Sequence, residues 1–169
     1  MTGTSAESAP PRWLCDEMLA RLARILRAAG YDTALAAPGT PDRALLESAG
    51  REGRVLLTRD RRLAAAAGHR GLLILQDEPE AQARHLARAC GIAWSLARFT
   101  RCLIDNEHLR EAAPAEIAAL PAAARAGPGP FLACPACGRV YWPGSHVRRM
   151  LERLDRLDAA TNARSPDRP

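Results

Sequence analysis

The chain has 169 residues, 47% hydrophobic but only 4% aromatic, enough for one domain with an aliphatic, alanine-rich core plus a small appendix. Its 24 basic residues are all arginine, which excludes Schiff-base chemistry and any phosphate loop that relies on lysine. The formal net charge of +5 permits a polyanionic partner, but 13 Arg against 11 acids in residues 1–97 and 11 against 8 in 98–169 spread the excess evenly, with no basic tail.

The opening MTGTSAESAPP has neither a basic n-region nor an apolar h-region, and residues 1–11 read as a disordered tail. Residues 13–15 are a short apolar strand, followed by a helix over 18–29 with Leu19, Leu22, Ala23 and Leu26 on one face and Gly30 at its C-cap. Residues 33–36 form a weak second strand. A helix opens at Pro41-Asp42 and is expected to end at Gly50. RVLLT, residues 54–58, is the clearest strand, and a short helix over 62–67 follows it. LLIL, residues 72–75, reads as another buried strand, and Pro79 opens a helix that stops at Gly91. Continuous apolar strands separated by helices indicate an α/β fold, with a parallel sheet covered on both faces.

After Phe99 the texture changes. Residues 114–130 are rich in Ala, Pro and Gly, CPACGRVYWPGSH is a compact knuckle, and 147–157 is an amphipathic helix followed by a tail over 159–169. The expected organisation is a domain over 12–97 and a module over 98–158, tied by a metal rather than by a core of its own. No apolar run approaches a membrane span. Five cysteines, two of them in CPAC, fit a reducing compartment and a metal better than a disulfide framework, so a cytoplasmic protein is expected. Cys15 and Cys90 read as small buried apolar residues.

Three acids fall where an open α/β sheet gathers its ligands. Asp16 follows the first strand, Asp60 follows RVLLT and Asp77 follows LLIL, while Asp42 stands at a helix start. Loops at the carboxyl ends of parallel strands converge on one crevice. Gathered carboxylates require a cation, and Mg²⁺ or Mn²⁺ suits oxygen donors and retains water for use as a nucleophile against a phosphodiester. Taken singly, Asp42 and Asp60 read as helix caps, Asp77 as a turn residue, and Asp16 with Glu17 as a charge at a helix dipole.

Four separated motifs, CDEMLARLARILRAAGYDT, EGRVLLTRDRRL, TRCL and CPACGRVYWPGSH, resemble the PIN-like ribonuclease family named for the C-terminal region of the worm mut-seven exonuclease. The similarity runs from about Arg12 to about Leu154. It implies a PIN-like (Rossmannoid) parallel sheet flanked by helices, a small C-terminal zinc-ribbon-like module, and metal-dependent cleavage of RNA. Asp16, Asp42 and Asp60 match the family's acids and become the expected Mg/Mn ligands; Asp77 and Glu47 are weaker additional candidates. Arg21 and Arg24 on one face of the first helix, with Glu17 four residues before Arg21, and Arg59 beside Asp60, either hold RNA phosphates or pair with acids.

In the knuckle the second corner is intact at Cys134 and Cys137. The first departs from the family, because Asp105 stands where a second cysteine is expected after Cys102. Zinc accepts carboxylate oxygen, so a site of Cys102, Asp105, Cys134 and Cys137 is chemically possible but softer than four thiolates; His108 or His146 are alternative fourth ligands, and a module without zinc, held by packing around Trp142, is a third option. Tyr141, Trp142, Arg139, Arg148 and Arg149 offer a surface for unpaired bases, or else Trp142 is the module's large core residue. The expected function is a metal-dependent ribonuclease. The alternatives are a non-catalytic RNA-binding or ribosome-associated module that keeps the fold, and a nuclease acting on DNA.

Overall fold

The computed structural model describes residues 9–163, so the tails expected at either end lie mainly outside the described residues. Strands β1 (Trp13–Cys15), β2 (Thr33–Leu35), β3 (Val55–Thr58) and β4 (Gly71–Leu73) pair in parallel in the order β2-β1-β3-β4. Between and after them run α1 (Ala20–Ala28), α2 (Asp42–Glu52), α3 (Arg61–Ala66) and α4 (Pro79–Cys90). This is the expected α/β sheet flanked by helices.

Side-chain alternation along the strands sorts the core onto two faces. Trp13, Cys15 and Leu57 join Leu22 and Leu26 of α1 and Leu86 of α4 on one side. Leu14 and Leu56 meet Leu45 and Ala49 of α2 and Leu63 of α3 on the other. Each fully buried leucine contributes about 1.5–3 kcal/mol relative to an exposed one. The chain order reverses between β1 and β3, because β2 flanks β1 on one side and β3 on the other. A reversal of this kind opens a crevice beyond the carboxyl ends of the two strands.

Several boundaries differ from the sequence expectation. The first helix begins as a 3₁₀ turn, Glu17–Leu19, before α1 proper. Helix α2 runs past Gly50 to Glu52, and Gly53, at φ 64°, supplies the left-handed cap. The strand expected over 72–75 is β4 at the sheet edge, half-buried, with Leu75 exposed beyond it. The C-cap of α1 is Ala29 rather than Gly30, which follows it and must be glycine: its φ is 99°, and a Cβ there would sit 2.4 Å from the Ala97 carbonyl oxygen.

The second half contains β5 (Arg110–Glu111), α5 (Pro114–Ala118), α6 (Ala122–Arg125), β6 (Leu132–Ala133), β7 (Val140–Tyr141) and α7 (Ser145–Asn162). The three strands form an antiparallel sheet, and two short helices occupy the stretch that carried little sequence pattern. Helix α7 is longer than the expected 147–157 and continues into the stretch expected as tail. Cys102, Cys134, Tyr141, Leu154 and Leu157 are buried in the same cluster as Trp13 and Leu26, so this half shares the core of the first. Helix α7 packs on α4 and α1, with ion pairs Arg153–Glu80 at 3.1 Å and Arg98–Asp158 at 3.0 Å.

Candidate functional site

The carboxyl ends of β1 and β3 bring Asp16 and Asp60 to one threonine. The Thr58 hydroxyl, wholly buried at the end of β3, donates to Asp16 Oδ2 at 2.8 Å. Thr58 Oγ1 in turn accepts from the Asp60 N–H at 3.0 Å. Asp16 Oδ1 accepts from the Glu17 N–H at 2.7 Å, capping the 3₁₀ turn. Asp60 Oδ1 accepts from the N–H groups of Arg62 at 2.6 Å and Leu63 at 2.9 Å, capping α3. Those two donors, Leu63 first, hold the Asp60 carboxyl below the usual carboxylate range. Both residues thus act as caps at the carboxyl ends of β1 and β3. Sequence reasoning missed Thr58, although the TRD triplet contains it.

The other expected residues distribute differently. Asp42 is exposed at the first position of α2, where Pro41 takes the capping place, so it is not the cap. Its approach loop is fastened to the crevice by Glu17, whose Oε2 accepts from the Gly39 N–H at 2.6 Å. Glu17 is thus engaged with that loop and does not pair with Arg21. Glu47 forms an exposed i,i+4 pair with Arg43 at 2.8 Å, and Asp77 is ion-paired with Arg59. Arg21 and Arg24 are exposed, and neither forms an ion pair with a described residue. The carboxylates of Asp16, Asp42 and Asp60 do not close into a group within 4.8 Å of one another.

At the opposite end of the sheet, Asp32 collects Arg54 at 2.7 Å, Arg12 at 2.8 Å and the Asn106 amide at 2.7 Å. Burial works against its charge, but the bonds from Arg54, Asn106 and Arg12 prevail and hold its carboxyl well below the usual range. Arg54 is buried and also donates to the Trp13 carbonyl. This cluster ties the starts of β1, β2 and β3 together. It had no counterpart in the sequence expectations.

The knuckle is the one group of three or more ligand atoms within 4.8 Å among the described residues: Cys102, Asp105, Cys134 and Cys137. Asp105 Oδ2 lies 3.4 Å from the Sγ atoms of both Cys102 and Cys134, and Cys102 Sγ lies 3.8 Å from Cys137 Sγ. Tetrahedral zinc with thiolate and carboxylate ligands has edges of roughly 3.5–3.8 Å, so the donor set fits. The two corners match in construction. Asn106 has φ 67° four residues after Cys102, and Gly138 has φ 68° four after Cys134, and each donates its N–H to that cysteine's carbonyl. Asp105 therefore occupies the position that Cys137 occupies in the other corner. His108 and His146 are not in the group.

The thiols of the knuckle are shifted in opposite directions. Cys102 is buried, which disfavours its thiolate, yet the Tyr141 hydroxyl and the N–H groups of Asp105 and Ile104 bring its thiol below the ordinary value. Cys137, beside the Asp105 carboxylate, is pushed up to about 12. Three thiols and a carboxylate at these separations must share protons or a cation, and the group can hold a metal such as zinc. Elsewhere, Cys15 is buried as expected, its thiol pushed up to about 12 by burial, whereas Cys90 is exposed at the end of α4.

The model of the Mut7-C RNAse domain matches residues 11–154. The chain belongs to this family. Its description points to a nuclease, RNA-related role. No curated protein and no solved structure matches the chain significantly. No helix among the described residues is long and apolar enough to cross a membrane.

Proposed function

We propose that this Mut7-C domain is a metal-dependent ribonuclease in which Asp16, Asp42 and Asp60 bind Mg²⁺ or Mn²⁺ and RNA phosphodiesters are hydrolysed. The observation that carries this reading is the link from the Asp60 N–H through Thr58 Oγ1 to Asp16 Oδ2, beyond β1 and β3, in a member of an RNAse-domain family. When bound, such an ion supplies an activated water and neutralises charge on the departing oxygen. The chain's own residues do the rest. Thr58 orients Asp16, the N–H groups of Leu63 and Arg62 keep Asp60 ionised, and Glu17 anchors the loop that leads into Asp42. Arg21 and Arg24 offer planar guanidinium forks to phosphates. Asp77 and Glu47 act as ion-pair partners of Arg59 and Arg43 rather than as ligands. In the knuckle, Cys102, Asp105, Cys134 and Cys137 hold a structural zinc.

The test is cleavage of labelled single-stranded RNAs with Mn²⁺ by the wild type, Asp16→Asn and Asp60→Asn, with matched DNAs alongside. Loss of a ligand is expected to lower the rate by more than the roughly 10–100-fold typical of a supporting residue. Wild-type rates in both variants would sink the proposal. A second reading, a non-catalytic RNA-binding or ribosome-associated module, draws on the open spacing of the three acids. It predicts RNA binding with no Mn²⁺-dependent cleavage of either nucleic acid by the wild type.

A further inference from the structure

Between the knuckle and α6 lies a groove of ≈ 870 Å³ that the acidic site does not use. Small-ligand clefts span roughly 300–1,000 Å³. Its apolar surface includes Trp142, Ile104 and Leu120, and its basic lining residues are Arg24, Arg139 and His146. Among the described residues that line it none is acidic. Asp105, next to Ile104, turns instead to the thiols of Cys102 and Cys134. His146 meets Arg149 at 3.1 Å, which extends the cationic rim.

Trp142 stands out against the chain's composition. Of the three tryptophans, Trp13 and Trp94 are fully buried, whereas Trp142 is only half-buried and faces the groove. Its indole edge rests against the backbone at Gly144, where a Cβ would come within 2.8 Å of Nε1. Arg24, which lines the groove, belongs to the helix that follows Asp16. It lies one turn after Arg21 on the exposed face of α1, and Asp16 caps the 3₁₀ turn that leads into that helix. Eight residues of helical path separate Asp16 from Arg24, roughly 12–16 Å at 1.5–2.0 Å per residue.

We propose that this groove binds an unpaired segment of the RNA, with a base stacked on Trp142 and neighbouring phosphates held by Arg24 and Arg139. The inference rests on the ribonuclease reading for the identity of the nucleic acid. A cationic rim around an aromatic face suits single strands, because every base has a π-face and the phosphates follow the rim. An acidic peptide would match the rim alone and leave the indole without a partner. A strand leaving the crevice along Arg21 and Arg24 reaches this groove, so it serves the nucleotides beside the scissile bond.

The full chain carrying Asp16→Asn, which leaves substrate intact, is titrated with a short oligouridylate, with duplex RNA and with an acidic peptide. Quenching of tryptophan fluorescence then reports contact at Trp142, since the other two indoles are buried, and the anisotropy of a labelled oligouridylate reads affinity in every variant. Saturable quenching by the oligouridylate and little by duplex is expected. Trp142→Ala should weaken single-strand binding by about five- to a hundredfold, with Trp142→Phe recovering much of it. Arg139→Ala should lower the slope of log affinity against log salt by about 0.7. If Trp142→Ala misfolds by circular dichroism, Trp142→Phe and Arg139→Ala still decide. Unchanged RNA affinity in the folded variants overturns the groove, and so does quenching by the peptide but not by RNA. Neither result touches the nuclease reading, which the acid variants test. Quenching by RNA in a protein whose wild type never cleaves it keeps the groove and removes the nuclease.

Discussion

Replacing Thr58 by valine tests the candidate site at its smallest necessary part. The two side chains have nearly the same shape, so packing around the buried position is preserved and only the hydroxyl is lost. That hydroxyl makes two bonds, donating to Asp16 Oδ2 at 2.8 Å and accepting from the Asp60 N–H at 3.0 Å. Removing it leaves a backbone N–H without its partner and Asp16 with one donor fewer. The expected stability cost is about 1–3 kcal/mol, read by chemical denaturation. A residue that orients a metal ligand typically changes metal affinity or activity by about 10–100-fold, so Mn²⁺-titrated RNA cleavage should fall by that amount. Thr58→Ser, which restores the hydroxyl, should recover most of the activity although it removes a methyl group. A Thr58→Val protein with wild-type cleavage and an unchanged Mn²⁺ requirement would refute the reasoning.

At the other end of the sheet, Asp32→Ala should cost about 1.5–3 kcal/mol in denaturation, because buried Arg54 loses one of its two counter-charges and keeps Glu52 at 2.7 Å. The sign with pH follows from the depressed carboxyl: the stabilisation is complete above the unfolded value of about 3.9 and is lost as pH falls toward the folded value, so Asp32→Asn should flatten the acid limb of stability. In the knuckle, Asp105→Cys should hold zinc more tightly against a chelator than the wild type, and Asp105→Ala more weakly by about tenfold or more, measured by metal analysis after dialysis. Zinc below about a tenth of an equivalent in the purified wild type would remove the Cys₃Asp site.

The parallel sheet was legible because its strands are continuous apolar runs between amphipathic helices, and the placement of Asp16 and Asp60 at its carboxyl ends was legible because each follows such a run. Thr58 was not, since a threonine ending a strand is ordinary β-sheet composition and only its hydrogen bonds distinguish it. Asp32 and Arg54 escaped for a different reason. They are 22 residues apart, and no local period predicts that the starts of β2 and β3, on either side of β1, are bridged. The end of α2 was misread because Gly50 and Gly53 both offer a cap, and only φ at Gly53 separates them. Cys90 was expected inside on residue type alone, yet it lies in the last turn of α4, on the exposed side.

Helix α1 joins the two candidate sites. Asp16 caps the turn that leads into it, and near its other end buried Arg27 donates to the carbonyls of Thr33, Leu103 and Ile104 at 2.8, 3.0 and 2.6 Å. Residues 102–106 form the first corner of the knuckle, and Asn106 completes the dock by accepting from the Thr33 N–H and donating to Asp32. None of these bonds involves a thiol or the Asp105 carboxylate. The corner is therefore fixed to the sheet by interactions that do not need a metal, unlike a zinc finger whose whole fold depends on the ion. A metal at Cys102 and Asp105 adds rigidity to a loop already gripped by α1 and β2. That arrangement accounts for how a carboxylate can stand in for the fourth cysteine: the corner does not rely on the tightest possible ligand set to stay folded.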